Sequence, residues 1–512
     1  MPSVADIVFV ALLGVLLFTT LAVRLLGDAG IGWHIRTGQL ILATRTIPHT
    51  DPFSSSMAGK PWFAWEWLYD LVVGEFDARM GANGVVWFSS VVVAAVFAGT
   101  LEGLIRRGVN LLAGLILLLL AVAASMIHFL ARPHVLSWLF TLAWFSILDL
   151  SERDLRKPDG GAGRRIWALP ILMLVWVNVH GGFLVGFALL GIFWLGAWWD
   201  WFRAKSDRIE AALSKIAARR RARNLVWVGL AAAAASLANP YGWKLHAHIY
   251  SYLSDRFLMD HIQEFQSPDF HGAAQRCFLL LLLVVVGVLA ARGRNLGTSL
   301  ALVVGFALYT GLYASRNIPV SSLLLVMVVG PLVPFEPGGG FSQRMAALES
   351  GLRGHLWPVA ALSLTFAIAA NGGRIGRATW MDAHFDPQRM PVAALDYLEK
   401  QTLTGPVLSP DSWGGYLIYR LYPRARVVVD DRHDFYGESF FKSYLKMVRV
   451  ECGWQGFLED HEVSTVLFPR DQALTNILLQ SPNWKPAYED HVAVVLMRDP
   501  SQLEQRRARG CN

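Results

Sequence analysis

The chain has 512 residues, of which 54% are hydrophobic and only 17% charged. Soluble domains run at about 45–50% apolar and about 25% charged, so this composition excludes an ordinary soluble globule and fits a chain solvated largely by lipid. The net charge of +7 does not point to nucleic acid, because the basic residues cluster in short loops between apolar runs.

A hydrocarbon core of roughly 30 Å needs about twenty apolar residues per helix. Runs of that kind are expected near 6–26, 85–105, 110–128, 134–150, 166–180, 183–201, 225–238, 275–291, 296–314, 318–335 and 355–371, about eleven crossings. The first run has no basic segment before it and no small-residue cleavage site after it, so it reads as a membrane helix rather than a signal peptide. The 20 Trp suit a protein with two membrane–water interfaces. Lys and Arg concentrate in alternate loops: Arg106 and Arg107, 151–165, 202–224, Arg292 and Arg294, Arg344 and Arg353. The positive-inside rule places these loops and the N-terminus in the cytoplasm. An odd number of crossings then puts 372–512 outside, in the periplasm if the membrane is a bacterial inner membrane. The inside loops, RAKSDR (203–208) and ARRRAR (218–223) among them, read as solvated basic filler.

The outside segments carry a different chemistry. They are 27–38, 47–54, 61–70, 131–136, 178–183, 239–243, 263–270 and 315–319, and they mix acids, His, Arg, Asn and aromatic residues. Polar and ionisable groups at the mouths of apolar helices are costly and call for a reason. Gathered on one face, they suggest a site for a polar substrate. The segment 27–84 is too long for a hairpin, and its stretches 34–45 and 66–80 read as amphipathic helices lying at the interface.

Asp28 through Gly38, Asp51-Pro52-Phe53-Ser54, Trp65-Glu66-Trp67 and Ser409-Pro410-Asp411-Ser412-Trp413-Gly414-Gly415-Tyr416 carry a resemblance. With these motifs the chain resembles the GT-C superfamily of membrane glycosyltransferases, and more narrowly the catalytic subunit of oligosaccharyltransferase. The last run is similar to the Trp-Trp-Asp-Tyr-Gly signature of that subunit, with one Trp and a displaced Asp. The resemblance implies a polytopic α-helical membrane domain (1–371) with a long external loop (27–84), then a soluble extracytoplasmic α/β domain (372–512). It implies transfer of a sugar from a polyprenyl phosphate or diphosphate carrier to an extracytoplasmic glycan, lipid or protein.

On this footing Asp28, directly after the first helix, stands where the superfamily places its acid. It would take the proton of an acceptor hydroxyl or hold a divalent cation, Mg or Mn, on the donor phosphate; otherwise it is a helix-end polar residue. Asp51 and Glu66 are further catalytic candidates, with a turn before Pro52 and an interfacial anchor as their ordinary readings. Arg132, His134 and Arg316 are candidate donor binders, since Arg grips phosphate oxygens bidentately; snorkelling at helix ends is the alternative. His34 and His180 join them, His180 from a turn with Gly181 and Gly182. Arg132 and Arg316 are expected to approach each other. Gln266, Tyr241, Trp413, Tyr416, Asp431 and Arg432 are candidate acceptor contacts, with Asp269 beside Gln266 and Tyr241 in a turn-like Asn-Pro-Tyr-Gly run.

After residue 372 the pattern changes. Residues 391–400 read as a helix, and GPVLS, ARVVVDD, VSTVLFP and HVAVVLM as short strands with helices between them, an α/β alternation. Asp430, Asp431, Arg432 and Asp434 follow the VVV run, at a strand's carboxyl end where open α/β sheets favour ligands. A solvated charge cluster is the plainer reading. Cys452 and Cys511 both face the oxidising side, where a bridge is chemically allowed. No Cys/His metal pattern, P-loop or dinucleotide fingerprint occurs. A nucleotide-sugar donor would need a cytoplasmic site, and the cytoplasmic loops offer none, which favours a lipid-linked donor. Two other classes fit the chain: a non-catalytic scaffold of an envelope assembly, and a transporter or flippase of a lipid-linked glycan, which would call for mid-membrane charges and a repeat.

Overall fold

Hydropathy decides the helices. A computed structural model describes residues 2–155, 164–204, 209–333 and 355–498. Arg344, Arg353, Cys511 and parts of the basic loops lie outside the described residues, so the proposed Cys452 bridge does too; Cys452 itself is a free, exposed thiol. Every apolar run expected to cross the membrane is helical. Among the described residues, six helices are long and apolar enough to cross: Ala82–Arg106, Leu111–His128, His134–Asp154, Gly181–Arg203, Ala273–Arg292 and Ser315–Leu332. Val4–Phe18, Thr298–Tyr313 and Leu356–Ala370 are shorter apolar helices. The run at 166–180 yields only Leu169–Trp176 as α-helix, about 12 Å of rise. The chain is a multi-pass membrane protein, and among the described residues six helices meet the length and composition required.

Local chemistry sets the helix ends. The Asn110 side chain accepts from the Leu112 and Ala113 amides to start Leu111–Ser125. Pro near the start of Leu169–Trp176 and Ile318–Val329 costs no helical hydrogen bond there. The basic loops are not all solvated filler. Arg221, in the ARRRAR run, is buried and pairs with Glu152 (3.2 Å) and Asp200 (2.9 Å). Arg107 pairs with Asp149 at 2.8 Å. These bonds tie helix ends together on the face opposite the polar segments.

The external loop holds helices Ile31–Thr44 and Trp67–Met80. They pack on each other. Backbone meets backbone where they cross: a Cβ on Gly74 would come within 2.7 Å of the Gly38 carbonyl carbon, so only glycine fits. Beyond the last apolar helix come a hairpin, β1 (Arg374–Ile375) with β2 (Ala378–Thr379), and then a four-stranded sheet. Its strands are β3 (Val407–Leu408), β4 (Thr465–Pro469), β5 (Trp484–Glu489) and β6 (Ala493–Arg498), in the order β3-β4-β6-β5. β3 pairs parallel with β4, and β4–β6 and β6–β5 are antiparallel. Val428, Val466, Phe468, Val494 and Leu496 pack with Phe441, Tyr444, Leu474 and Leu478 into its core. The VVV run is not a strand. Val427 makes single bridges to Ser54 of the external loop and to Val407 of β3, which stitches the loop onto the sheet.

Candidate functional site

A cleft of about 780 Å³ opens where the first helix, the external loop, the turn before His134 and the C-terminal region converge. Its lining combines apolar residues, Leu16, Leu21, Met126 and Ile127 among them, with charged ones, Arg24, Asp28, Arg132, Glu264 and Asp431 among them. Asp28 sits in the turn that begins Ile31–Thr44, where its carboxylate accepts the Gly30 amide at 2.8 Å, an Asx-type turn. The Ala131 amide donates to Leu25 O (2.7 Å) and so fixes the loop carrying Arg132 beside that turn. Arg132 Nη1 then donates to both Asp28 Oδ1 and Asp431 Oδ2, each at 2.9 Å. Trp33 Nε1 holds the other Asp431 oxygen at 3.0 Å. A Cβ at Gly30 would fall on the Arg132 guanidinium and the Asp431 carboxylate, so glycine is required for this contact. Burial pushes the Asp431 carboxyl up to about 6, against the pull of Arg132 and with help from Asp28.

Of the residues singled out in the sequence, the cleft brings together Asp28, Arg132, Gln266, Asp269, Trp413 and Asp431. Gln266 accepts the Ser315 amide (2.9 Å) through its carbonyl. Trp413 donates its indole N–H to Arg389 O at 3.1 Å. Arg316 is one layer back, paired with Glu264 (3.3 Å) and stacked on Phe265, and it is Glu264 that lines the cleft. His134 is also behind the wall, bonded through Nε2 to His128 O at 2.9 Å.

The other candidates lie elsewhere. Arg432 is buried, bidentate to Asp430 (2.8 and 2.7 Å) and bonded to Asp51 at 2.9 Å. Its guanidinium is boxed by Trp62 and Phe53, and Tyr436 completes Asp430 at 2.8 Å. Asp51 is further consumed by the amides of Phe53 and Ser54 and by the Ser54 hydroxyl. Asp51 and Arg432 therefore fasten the external loop to the C-terminal region and are closed to any ligand. Tyr241 accepts the Ala64 amide at 2.7 Å, and Tyr416 is buried beneath Phe385 and Arg420; both brace the scaffold.

Glu66 occupies a separate buried pocket, with His34 Nε2 and His180 Nε2 each 3.7 Å from one of its oxygens. Burial raises its carboxyl to about 8 despite the field of Arg132. His34 Nδ1 meets Asp70 Oδ1 at 2.5 Å, and His180 Nδ1 accepts the Gly182 amide at 3.0 Å. Burial drives His34 down and Asp70 up. Sequence reasoning missed the Asp411–His433 ion pair (2.8 Å), which lines the cleft. The His433 charge pulls Asp411 below its ordinary range although burial opposes it. The signal was present, since both residues lie in runs read as motifs. It also missed Arg24 and Arg389, both exposed and both lining the cleft.

The position between Asp28 and Asp431 is taken by Arg132. Among the described residues no group of three or more His, Cys, Asp or Glu is arranged to hold an ion.

The architecture is a bundle of apolar helices with a long external loop folded against a C-terminal region. In particular it is the fold of archaeal oligosaccharyltransferase. The Archaeoglobus fulgidus enzyme tethered to an acceptor peptide with an NVT sequon superposes with TM-score 0.57 at 11% identity, covering 91% of this chain and 68% of that one. AglB from the same organism, bound to an inhibitory peptide and a dolichol-phosphate, gives TM-score 0.56 with the same identity and coverage. No protein-family model and no curated protein matches the sequence.

Proposed function

We propose that the chain is a membrane glycosyltransferase that takes a sugar from a polyprenyl-phosphate-linked donor and passes it to an extracytoplasmic acceptor. The observation that carries this reading is the cleft, lined by both apolar and charged residues, where Asp28, Arg132 and Asp431 meet. Such a cleft matches a ligand with a hydrocarbon tail and a phosphate head. The dolichol-phosphate held by one structural neighbour supports a lipid-linked donor, and the acceptor peptide held by the other supports transfer to a separate acceptor. In the proposed reaction an acceptor hydroxyl attacks the anomeric carbon as Asp28 takes its proton. The bond from that carbon to the phosphate oxygen breaks, and its electron pair leaves with the phosphate, where guanidinium groups stabilise the charge. Trp413, Gln266 and the Asp411–His433 pair border the acceptor.

The same reading divides the chain near residue 371 and places the N-terminus in the cytoplasm of a bacterium. It counts eleven crossings, with the sheet region on the periplasmic side. Reporter fusions after Arg107, Arg221 and Arg498 test the topology; a cytoplasmic signal at Arg498 would remove it. The activity is tested by comparing glycan products of cells carrying the wild-type chain or Asp28→Asn. Loss of one product with normal protein levels is expected. An unchanged product profile would leave the scaffold reading, which one observation favours: Asp28 and Asp431 are already engaged by Arg132.

A further inference from the structure

Two guanidiniums on the cleft lining are not engaged by its acids. Asp28 and Asp431 share Arg132, Asp411 pairs with His433, and Glu264 pairs with Arg316. Asp269 accepts only the His271 amide. Arg24 and Arg389, also on the lining, have no hydrogen bond or ion pair to their guanidiniums among the described residues. They come from distant parts of the chain. Arg24 lies in the short helix Leu21–Leu25 and shares the cleft lining with Leu16 and Leu21. Arg389 is placed by the indole of Trp413 on its carbonyl oxygen, and its Nη1 reaches toward Gly27. Arg132 is itself only half engaged. Both of its bonds use Nη1, and its Nε and Nη2 have no protein partner among the described residues. That is a fork edge of the kind that grips phosphate bidentately.

We propose that Arg24, Arg132 and Arg389 form a metal-independent clamp for the phosphate of a polyprenyl-linked ligand, with Arg132 standing between Asp28 and Asp431 where a divalent cation would bridge them. This deepens the glycosyltransferase reading and rests on it for the identity of the lipid. Asp28 and Asp431 keep Arg132 aimed, and the phosphate takes its free edge. Arg24 meets the phosphate from the membrane side, so that the hydrocarbon chain continues along Leu16 and Leu21. Arg389 meets it from the C-terminal region and couples phosphate binding to Trp413. Exposed arginines also occur as plain snorkelling residues, and that reading predicts no loss of binding on their removal.

The test uses the full chain in nanodiscs with farnesyl phosphate as probe and farnesol and inorganic phosphate as separate arms. Arg24→Gln and Arg389→Gln each weaken farnesyl phosphate binding by about tenfold or more, the scale of a charge-assisted hydrogen bond. Farnesol binding does not change in either variant, and EDTA leaves farnesyl phosphate binding intact. Arg24→Lys recovers part of the loss. Loss of binding in EDTA with recovery in Mn²⁺ would overturn the metal-independent clamp, as would unchanged binding in both Gln variants. Inorganic phosphate binding as tightly as farnesyl phosphate would assign the site to a free anion and overturn the lipid assignment. Sugar transfer is measured separately. If the binding results hold and no transfer occurs, the glycosyltransferase reading falls and the clamp stands.

Discussion

Two arginines in this molecule make nearly the same contact and do opposite things. Arg132 and Arg432 each bridge two carboxylates from different parts of the chain. Arg432 uses Nε and both terminal nitrogens, its side chain is 2% exposed, and aromatic rings close over it. Arg132 uses a single nitrogen, is 24% exposed and borders a cleft. Charge pairing alone does not distinguish a fastener from a binding group. What distinguishes them is how many donors remain and whether water reaches them.

The largest effect expected on this comparison is at the open pair. Asp28→Asn keeps the shape of the side chain and removes its basicity. Sugar transfer from a lipid-linked donor should fall by about 10²–10⁴, the range of a general base, with the melting temperature nearly unchanged. An equal loss from Glu66→Gln with Asp28→Asn fully active would move the base to the buried pocket.

At the sealed pair the loss should appear in stability instead. Arg432→Met leaves Asp430 and Asp51 buried without their cation, a change that costs about 3–5 kcal/mol in comparable pairs. Thermal unfolding in detergent reads it. Arg132→Gln should cost much less, because Asp28 and Asp431 keep other donors and some access to water. If Arg132→Gln proved the more destabilising, the division into clamp and fastener would be wrong.

Glu66 gives a third contrast, through pH. Burial lifts its carboxyl from an ordinary 4.5 to about 8, so between those values the native chain binds more protons than the unfolded chain. The stability it contributes is complete below pH 4.5 and is lost as pH rises through 8. Each pKa unit is about 1.4 kcal/mol, so a decline of a few kcal/mol is expected over that window. Glu66→Gln should flatten it. A decline of the same slope in the variant would place the responsible group elsewhere.

The sequence revealed these regions unevenly. Every apolar run became a helix, because twenty-residue hydrophobicity is a local property. The run at 166–180 shows the limit, since composition alone did not foretell that only Leu169–Trp176 would be α-helical. The VVV run has strand propensity, but its partners are the external loop and β3 through single bridges at Val427, a long-range outcome that no window contains. β5 was missed because Trp484–Glu489 lacks apolar alternation and carries Pro486, which an edge strand tolerates. Asp28, Arg132 and Asp431 stood out as polar groups beside apolar or β-rich runs. Arg24 and Arg389 are ordinary in their own neighbourhoods and become neighbours of one cleft only after residues 24 and 389 fold together. For Asp51 and Arg432 the charges were legible, but burial, which turns them into a fastener, was not.

The smallest effect concerns Arg316, which sequence placed directly on the phosphate and the structure places behind Glu264. The Glu264 side chain is 45% exposed, so the pair has little intrinsic strength, and exposed pairs are worth at most about 1 kcal/mol. Arg316→Ala frees a carboxylate on the cleft lining, and its repulsion should weaken farnesyl phosphate binding by about fivefold or less. The effect should shrink further as salt screens the charge. The second substitution decides the mechanism. If Arg316 acts by neutralising Glu264, then adding Glu264→Gln to Arg316→Ala removes the repelling charge and restores binding. If Arg316 touches the phosphate itself, the double variant stays as weak as Arg316→Ala, and Arg316 joins the clamp as a fourth guanidinium.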